Sequence, residues 1–172
     1  CGGQKKENGL NENFARELLE LHTLGVGGPY SQADVTELAE LLTGLTYNQD
    51  GVFGFREEFA QPGAETVLGQ SYGGGAAALS DVHAALDDLA RHPATARHLA
   101  QKMAVHFVSD RPDSALVDAM QRRYLETGGH LGEMVHAMLA QPVAWAPEFT
   151  NVKQPIDFVG SALRALAVPN EA

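Results

Sequence analysis

The chain has 172 residues, with 22 acidic side chains against 12 basic ones and a formal charge of −10. That length suits one domain with a genuine core, and 44% apolar with 20% charged residues describes a globular chain, not a disordered one. The acidic balance argues against nucleic acid as a partner, the bases pair only at Lys5-Lys6 and Arg122-Arg123, and no apolar run approaches the roughly 20 residues of a membrane span.

The chain opens on Cys1, its single cysteine, so an internal disulfide is impossible. Cys-Gly at a mature N-terminus can mean a lipid-modified residue. No lipoprotein signal precedes it, so Cys1 reads instead as the place where a fragment begins. Residues 1–10 read as a flexible start. The first helix is predicted from Glu12 to Leu24, with Asn11 as N-cap, Gly25 at C′ and Phe14, Leu18 and Leu21 at helical spacing. A second helix starts at Ser31, where Ser31 and Asp34 form a capping box with Asp in place of Glu. Its stripe is Val35, Leu38, Ala39 and Leu42, and Gly44 ends it. The two make an αα-hairpin over 12–44.

Residues 45–75 change character. Leu45-Thr46-Tyr47 and Val52-Phe53-Gly54-Phe55 flank Asp50-Gly51 and read as a β-hairpin. Thr66-Val67-Leu68 reads as a third short strand. Gly69 to Gly75 reads as a mobile glycine-rich spacer, because it lacks the Gly-Lys-Ser/Thr ending of a phosphate-binding loop.

From residue 80 to 167 the pattern is helical again. Helix three covers Asp81 to Arg91 with Val82, Ala85, Leu86 and Leu89 inward. Pro93 opens helix four, which turns Leu99, Met103 and Phe107 toward the core. Asp113 caps helix five, carrying Leu116, Val117, Met120 and Tyr124 and stopped by Gly128-Gly129. Helix six runs from Leu131 to Gln141. Trp145 reads as a core plug in the apolar elbow after it, and Pro155 opens a last helix with Ile156, Val159, Leu163 and Leu166. The expected fold is mostly α: one domain over 1–172, a multi-helix orthogonal bundle with an N-terminal αα-hairpin and a small β-hairpin insertion.

The densest chemistry sits in Asn11 to Gly25. At about 100° per residue, Asn13, Glu17 and Glu20 share one flank of the helix, and His22 lies roughly 140° from Glu17. One helix therefore cannot bring His22 and both glutamates to a single metal ion. Arg16 stands four residues from both Glu12 and Glu20, the spacing of a surface ion-pair ladder. The first reading is a salt-bridged flank, in which Glu17 and Glu20 pair with Arg16, Arg97 or other bases. The rival is a carboxylate centre for metal-assisted hydrolysis built on Asn13, Glu17, Glu20 and His22, with Asp34 close in sequence. Candidate catalytic residues are thus Glu17, Glu20, His22 and Asp34, and candidate binding residues are Asn13, Arg16 and Arg97.

Other constellations are thinner. Glu133 and His136 have the Glu-x-x-His spacing of di-metal bundles, but such centres need two copies and the sequence has one. His98, Lys102 and His106 form an i, i+4, i+8 ridge on helix four that reads as solvated. The sequence contains neither His-Glu-x-x-His nor Gly-x-Ser-x-Gly, and no motif calls for a cofactor. A peptide or glycan contact through Gly73 to Gly75 is a further, lesser reading.

Residues 11–25, Asn-Glu-Asn-Phe-Ala-Arg-Glu-Leu-Leu-Glu-Leu-His-Thr-Leu-Gly, followed by Tyr30-Ser31-Gln32-Ala33-Asp34-Val35, form a long and specific motif. With Thr66-Val67-Leu68-Gly69, His92-Pro93-Ala94-Thr95-Ala96-Arg97, Phe107-Val108-Ser109-Asp110 and Lys153-Gln154-Pro155-Ile156-Asp157-Phe158-Val159, it resembles bacterial domain-of-unknown-function family 1800 over nearly the whole chain. The resemblance implies a longer parent protein with further helices upstream, which are then the first partner to expect. It also implies export to a periplasmic or extracellular setting and a possible exported sulfatase-like partner. It carries over no established activity. Similar sequences commonly show a His-Asp pair before the Thr-Val-Leu-Gly segment, where this chain has Ala60-Gln61, which weakens an enzymatic reading.

Overall fold

A computed structural model describes residues 10–47, 49–146 and 151–168. The flexible start expected over 1–10, Cys1 included, lies outside them except for Leu10, as does Asn48 in the hairpin turn.

Helix α1 spans Asn13–Glu17 and continues as a π-helical turn over Leu18–His22, where an unbroken α-helix was expected. Asn11 Oδ1 accepts from Asn13 N–H at 3.1 Å, but the N-cap position falls on Glu12. Thr23 Oγ1 donates to Leu18 O at 2.8 Å and Gly25 N–H to Leu19 O at 3.0 Å, which closes the wider turn. The buried residues are Ala15 and Leu19, with Leu24 beyond the turn. Phe14 and Leu21, expected inward, stand 50% and 46% exposed. The 3.6-residue projection fails for Leu21 because the π turn takes in an extra residue, and for Phe14 because the small Ala15 occupies the packed side.

Helix α2 spans Gln32–Leu41 and begins with the expected capping box: Ser31 Oγ accepts from Asp34 N–H and Asp34 accepts from Ser31 N–H. Its stripe of Val35, Leu38, Ala39 and Leu42 is buried as predicted, along with Leu41. Strands β1 (Leu45–Tyr47) and β2 (Phe53–Phe55) pair antiparallel, as the Asp-Gly signal implied. Gly44 is needed for close approach, since a Cβ there would fall 2.4 Å from the Phe55 ring.

A second antiparallel pair joins β3 (Ala64–Val67) to β4 (Gln70–Gly73). The expected spacer after Gly69 is therefore half strand. Its turn is made by Leu68 and Gly69, both in the left-handed region at φ 52° and 80°, and the sequence gives no warning that a leucine will adopt it.

Helix α3 spans Leu79–Arg91 and α4 spans Pro93–Phe107, with Pro93 in the first turn as predicted. Helices α5 (Ser114–Glu126) and α6 (Leu131–Leu139) follow, then a short 3-10 turn over Pro142–Trp145 and helix α7 (Pro155–Ala165). Asp113 caps α5 as expected, and imidazole Nδ1 atoms of His92 and His130 cap α4 and α6. On α4 the buried stripe is Ala96, Ala100 and Ala104, while Leu99 and Met103 are half-buried and Phe107 is 64% exposed. The alanines win because they let α5 approach closely. Trp145 is also exposed, its indole N–H donating to Leu139 O at 2.8 Å, so it caps the end of α6 and is no core plug.

Among the described residues, the buried apolar side chains form two clusters. The first gathers α1, its π turn, α2, β3, β4 and α3; the second gathers α4, α5 and α6. Main-chain carbonyls stitch them together: Thr95 Oγ1 donates to Leu89 O at 2.7 Å and Tyr124 Oη to Ala90 O at 2.9 Å. Over the described residues the fold is mostly α with two small antiparallel strand pairs.

Candidate functional site

The polar face of the αα-hairpin is built around Glu12. Thr36 Oγ1 and Gln32 Nε2 each donate to its carboxylate at 2.7 Å, and Arg16 Nη2 at 3.3 Å. Arg16 also donates to Gln32 Oε1 at 2.8 Å and sits 3.8 Å from Glu20. Hydrogen bonds from Thr36 and Gln32, helped by Arg16, hold the Glu12 carboxyl below the ordinary glutamate range. The expected Glu12–Arg16–Glu20 ladder is present, and it extends across to α2. Glu20 also faces Tyr30, whose hydroxyl is pushed up by burial and by that carboxylate.

Asp34 is a clamp between elements. Its Oδ2 takes Ser31 N–H at 2.7 Å, and its Oδ1 takes Leu68 N–H at 2.6 Å. Burial opposes ionisation, but donors from Ser31 and the Leu68 main chain outweigh it and hold the carboxyl low. One turn further along α2, Glu37 Oε2 accepts from Thr66 N–H at 2.7 Å. The two carboxylates satisfy alternate N–H groups on the free edge of β3, standing in for a neighbouring strand.

The remaining sequence candidates are dispersed. Asn13, Glu17 and His22 are exposed. Arg97 pairs with Asp118 at 2.9 Å, not with the α1 acids. Glu133 takes the Arg123 guanidinium, with Nε at 2.9 Å, and its carboxyl is held low by it; His136 Nδ1 lies 3.6 Å away. Among the described residues, no three of His, Cys, Asp and Glu gather so as to hold a metal ion. The ridge on α4 is not simply solvated: Lys102 Nζ donates to Leu21 O at 3.2 Å, and His98 packs under Gly25 with its Nε2 buried and without a hydrogen-bond partner. His106 remains exposed, edge-on to Phe107.

Sequence reasoning missed Glu65. It is 5% exposed, on the inward side of β3 beside Val67. Burial, and then Glu40, Glu37 and Asp81, push its carboxyl up. The alternation Glu65-Thr66-Val67 carried the signal, because residues two apart on a strand share a face. Tyr72 lies opposite Glu65 in the register, its hydroxyl pushed up to about 12 by burial and by Asp88, to which it donates at 2.9 Å. Glu65 lines a small cavity with Asp81, Leu41, Phe55 and Gly73.

A family model described as "Protein of unknown function (DUF1800)" matches residues 2–172. The chain belongs to the DUF1800 family. The match takes in α1 and its π turn, the Asp34 clamp and the hairpin that the clamp holds. Ala60 and Gln61 line the cavity beside Glu65 in this DUF1800 chain. No curated protein and no solved structure matches the chain.

Proposed function

We propose that this chain is a helical interaction module of a longer exported bacterial protein, working through its C-terminal helix. One observation supports this above the others. Helix α7 carries Ile156, Phe158, Val159 and Leu163, with Leu166 at its C-cap, and none of its residues is buried. Apolar faces of that kind on folded proteins mark surfaces that another protein covers. The segment before α7 is tied down, since Asn151 Nδ2 donates to Val105 O and Val152 N–H to Asp110 Oδ2, each at 2.8 Å. The main chain is thereby anchored at the end of α4 just before α7, whose own residues are all exposed or half-exposed.

Two partners follow from the family resemblance: further helices of the parent chain, and an exported sulfatase-like protein, both in a periplasmic or extracellular setting. The acids of the hairpin support a structural role in the same scheme, because Glu12, Asp34 and Glu37 spend their oxygens on Thr36, Gln32 and main-chain N–H groups. The test is calorimetric titration of the full-length parent with the sulfatase-like protein encoded beside it. Binding that is lost in a Val159→Glu, Leu163→Glu double variant is the expected result. Unchanged binding in that variant, or none with the natural chain, would overturn the reading.

A further inference from the structure

The cavity beside Glu65 lies between the β3–β4 pair, the end of α2 and the start of α3, and has no part in the α7 reading. It is a small recess, partly open to solvent. Its floor is acidic, with Glu65 and Asp81, and its walls are Leu41, Phe55, Ala77 and Ala78. Glu65 is 5% exposed, and among the described residues no lysine or arginine forms an ion pair with it. Its Oε2 lies 3.4 Å from where a Cβ on Gly73 would stand, and Glu65 and Gly73 both line the cavity. A carboxylate buried without a counter-charge is costly, and a bound cation removes that cost.

We propose that this cavity binds the ammonium head of a primary amine, with Glu65 and Asp81 as its acceptors and the alkyl stem along Leu41, Phe55 and Ala77. The groups acting on Glu65 are negative, Glu40 and Glu37 from α2 and Asp81 from α3, so the local field selects a cation. A divalent metal fits poorly, because no third carboxylate or imidazole converges there among the described residues. A quaternary ammonium has no N–H to give the two carboxylates. A primary ammonium matches the lining: three donors on one centre for the two acids, followed by methylenes suited to an apolar wall. The amine can belong to a small molecule or to a lysine side chain.

The experiment is a backbone amide NMR titration of the chain at neutral pH and constant ionic strength. The probes are n-butylammonium, Nα-acetyl-lysine methylamide and tetramethylammonium. Saturable shifts centred on Glu65, Gly73 and Ala78 with either primary amine, and none with tetramethylammonium, are expected. Stronger binding of the lysine derivative assigns the site to a protein segment, and stronger binding of butylammonium assigns it to a free amine. Glu65→Gln keeps the shape and should weaken binding at least about ten-fold, the loss expected of one charge-assisted hydrogen bond. Ala77→Leu leaves both acids in place, fills the cavity and should abolish binding with the amide spectrum otherwise preserved. Shifts that never saturate, equal shifts with tetramethylammonium, or undiminished binding in either variant would overturn the proposal.

Discussion

The two hydrophobic clusters hold themselves together in different ways. The second is a plain helical core, in which the alanine stripe of α4 lets Met120, Leu116, Val117 and Met134 pack close. The first mixes helices with two-stranded pairs too short to stand alone, and it relies on side chains that bond to backbone: Asp34 to Leu68, Glu37 to Thr66, and Thr43 Oγ1 to Gln61 N–H at 2.7 Å. A helix satisfies its own main chain, whereas a two-stranded pair leaves an edge that something else must satisfy. Polar residues in the first cluster are therefore framework, and in the second they are mostly caps and surface pairs.

The largest expected effect lies in the second cluster. Met120→Ala removes a fully buried side chain and should cost about 2–5 kcal/mol. Amide hydrogen exchange should then speed up across α4–α6 and stay slow in α2 and β3. Equal acceleration everywhere would mean that the clusters unfold as one and the contrast is energetically empty.

The matching test in the first cluster is Asp34→Ala. It deletes the capping box and leaves Leu68 N–H without its acceptor, a combined cost of about 2–4 kcal/mol by chemical denaturation. Exchange at Leu68 and Gly69 should rise first. A loss no larger than that of an ordinary cap would show that the clamp on β3 contributes nothing.

A smaller effect belongs to the seam. Gly25 sits at φ 90°, and a Cβ there would lie 2.7 Å from His98 Nδ1. Gly25→Ala should cost about 1–3 kcal/mol, part of it recovered on adding His98→Ala. Strict additivity in that double-mutant cycle would mean that the imidazole does not press on the turn.

The smallest effect carries the opposite sign. The folded-state carboxyl of Glu65 is raised, so folding favours its protonated form. That contribution is full below the unfolded glutamate value and is lost as pH rises through the folded one. Glu65→Gln should therefore stabilise the chain at pH 7 by up to about 1 kcal/mol, a thermal midpoint higher by about 2–4 °C, and the gain should vanish in acid. Asp34 and Glu133 have lowered values and work the other way, losing stability as pH falls through the carboxylate range. Unchanged stability of the Glu65→Gln variant at pH 7 would show that the site already has a counter-charge.

Local rules made much of the fold legible. Ser31 with Asp34, Pro93, Asp113 and Gly128-Gly129 mark helix ends through contacts within a few residues, and each does so here. The stripes of α2, α3 and α5 were readable because each helix has one dominant apolar face. Helix α4 has two, and only the arrival of α5 selects Ala96-Ala100-Ala104 over Leu99-Met103-Phe107. The candidate site was half legible: the ladder on α1 follows from i, i+4 spacing, but the tie from Glu12 to Thr36 joins residues 24 apart.

By itself the sequence determined most of the helices, the helix starts at Ser31, Pro93 and Asp113, the first hairpin and the family. The tertiary structure alone decided which apolar face is covered, that Leu68 turns left-handed under a carboxylate 34 residues away, and that Glu65 is shut away from water. Periodicity and capping are properties of neighbours along the chain, while burial and strand-edge pairing depend on which distant segment arrives opposite.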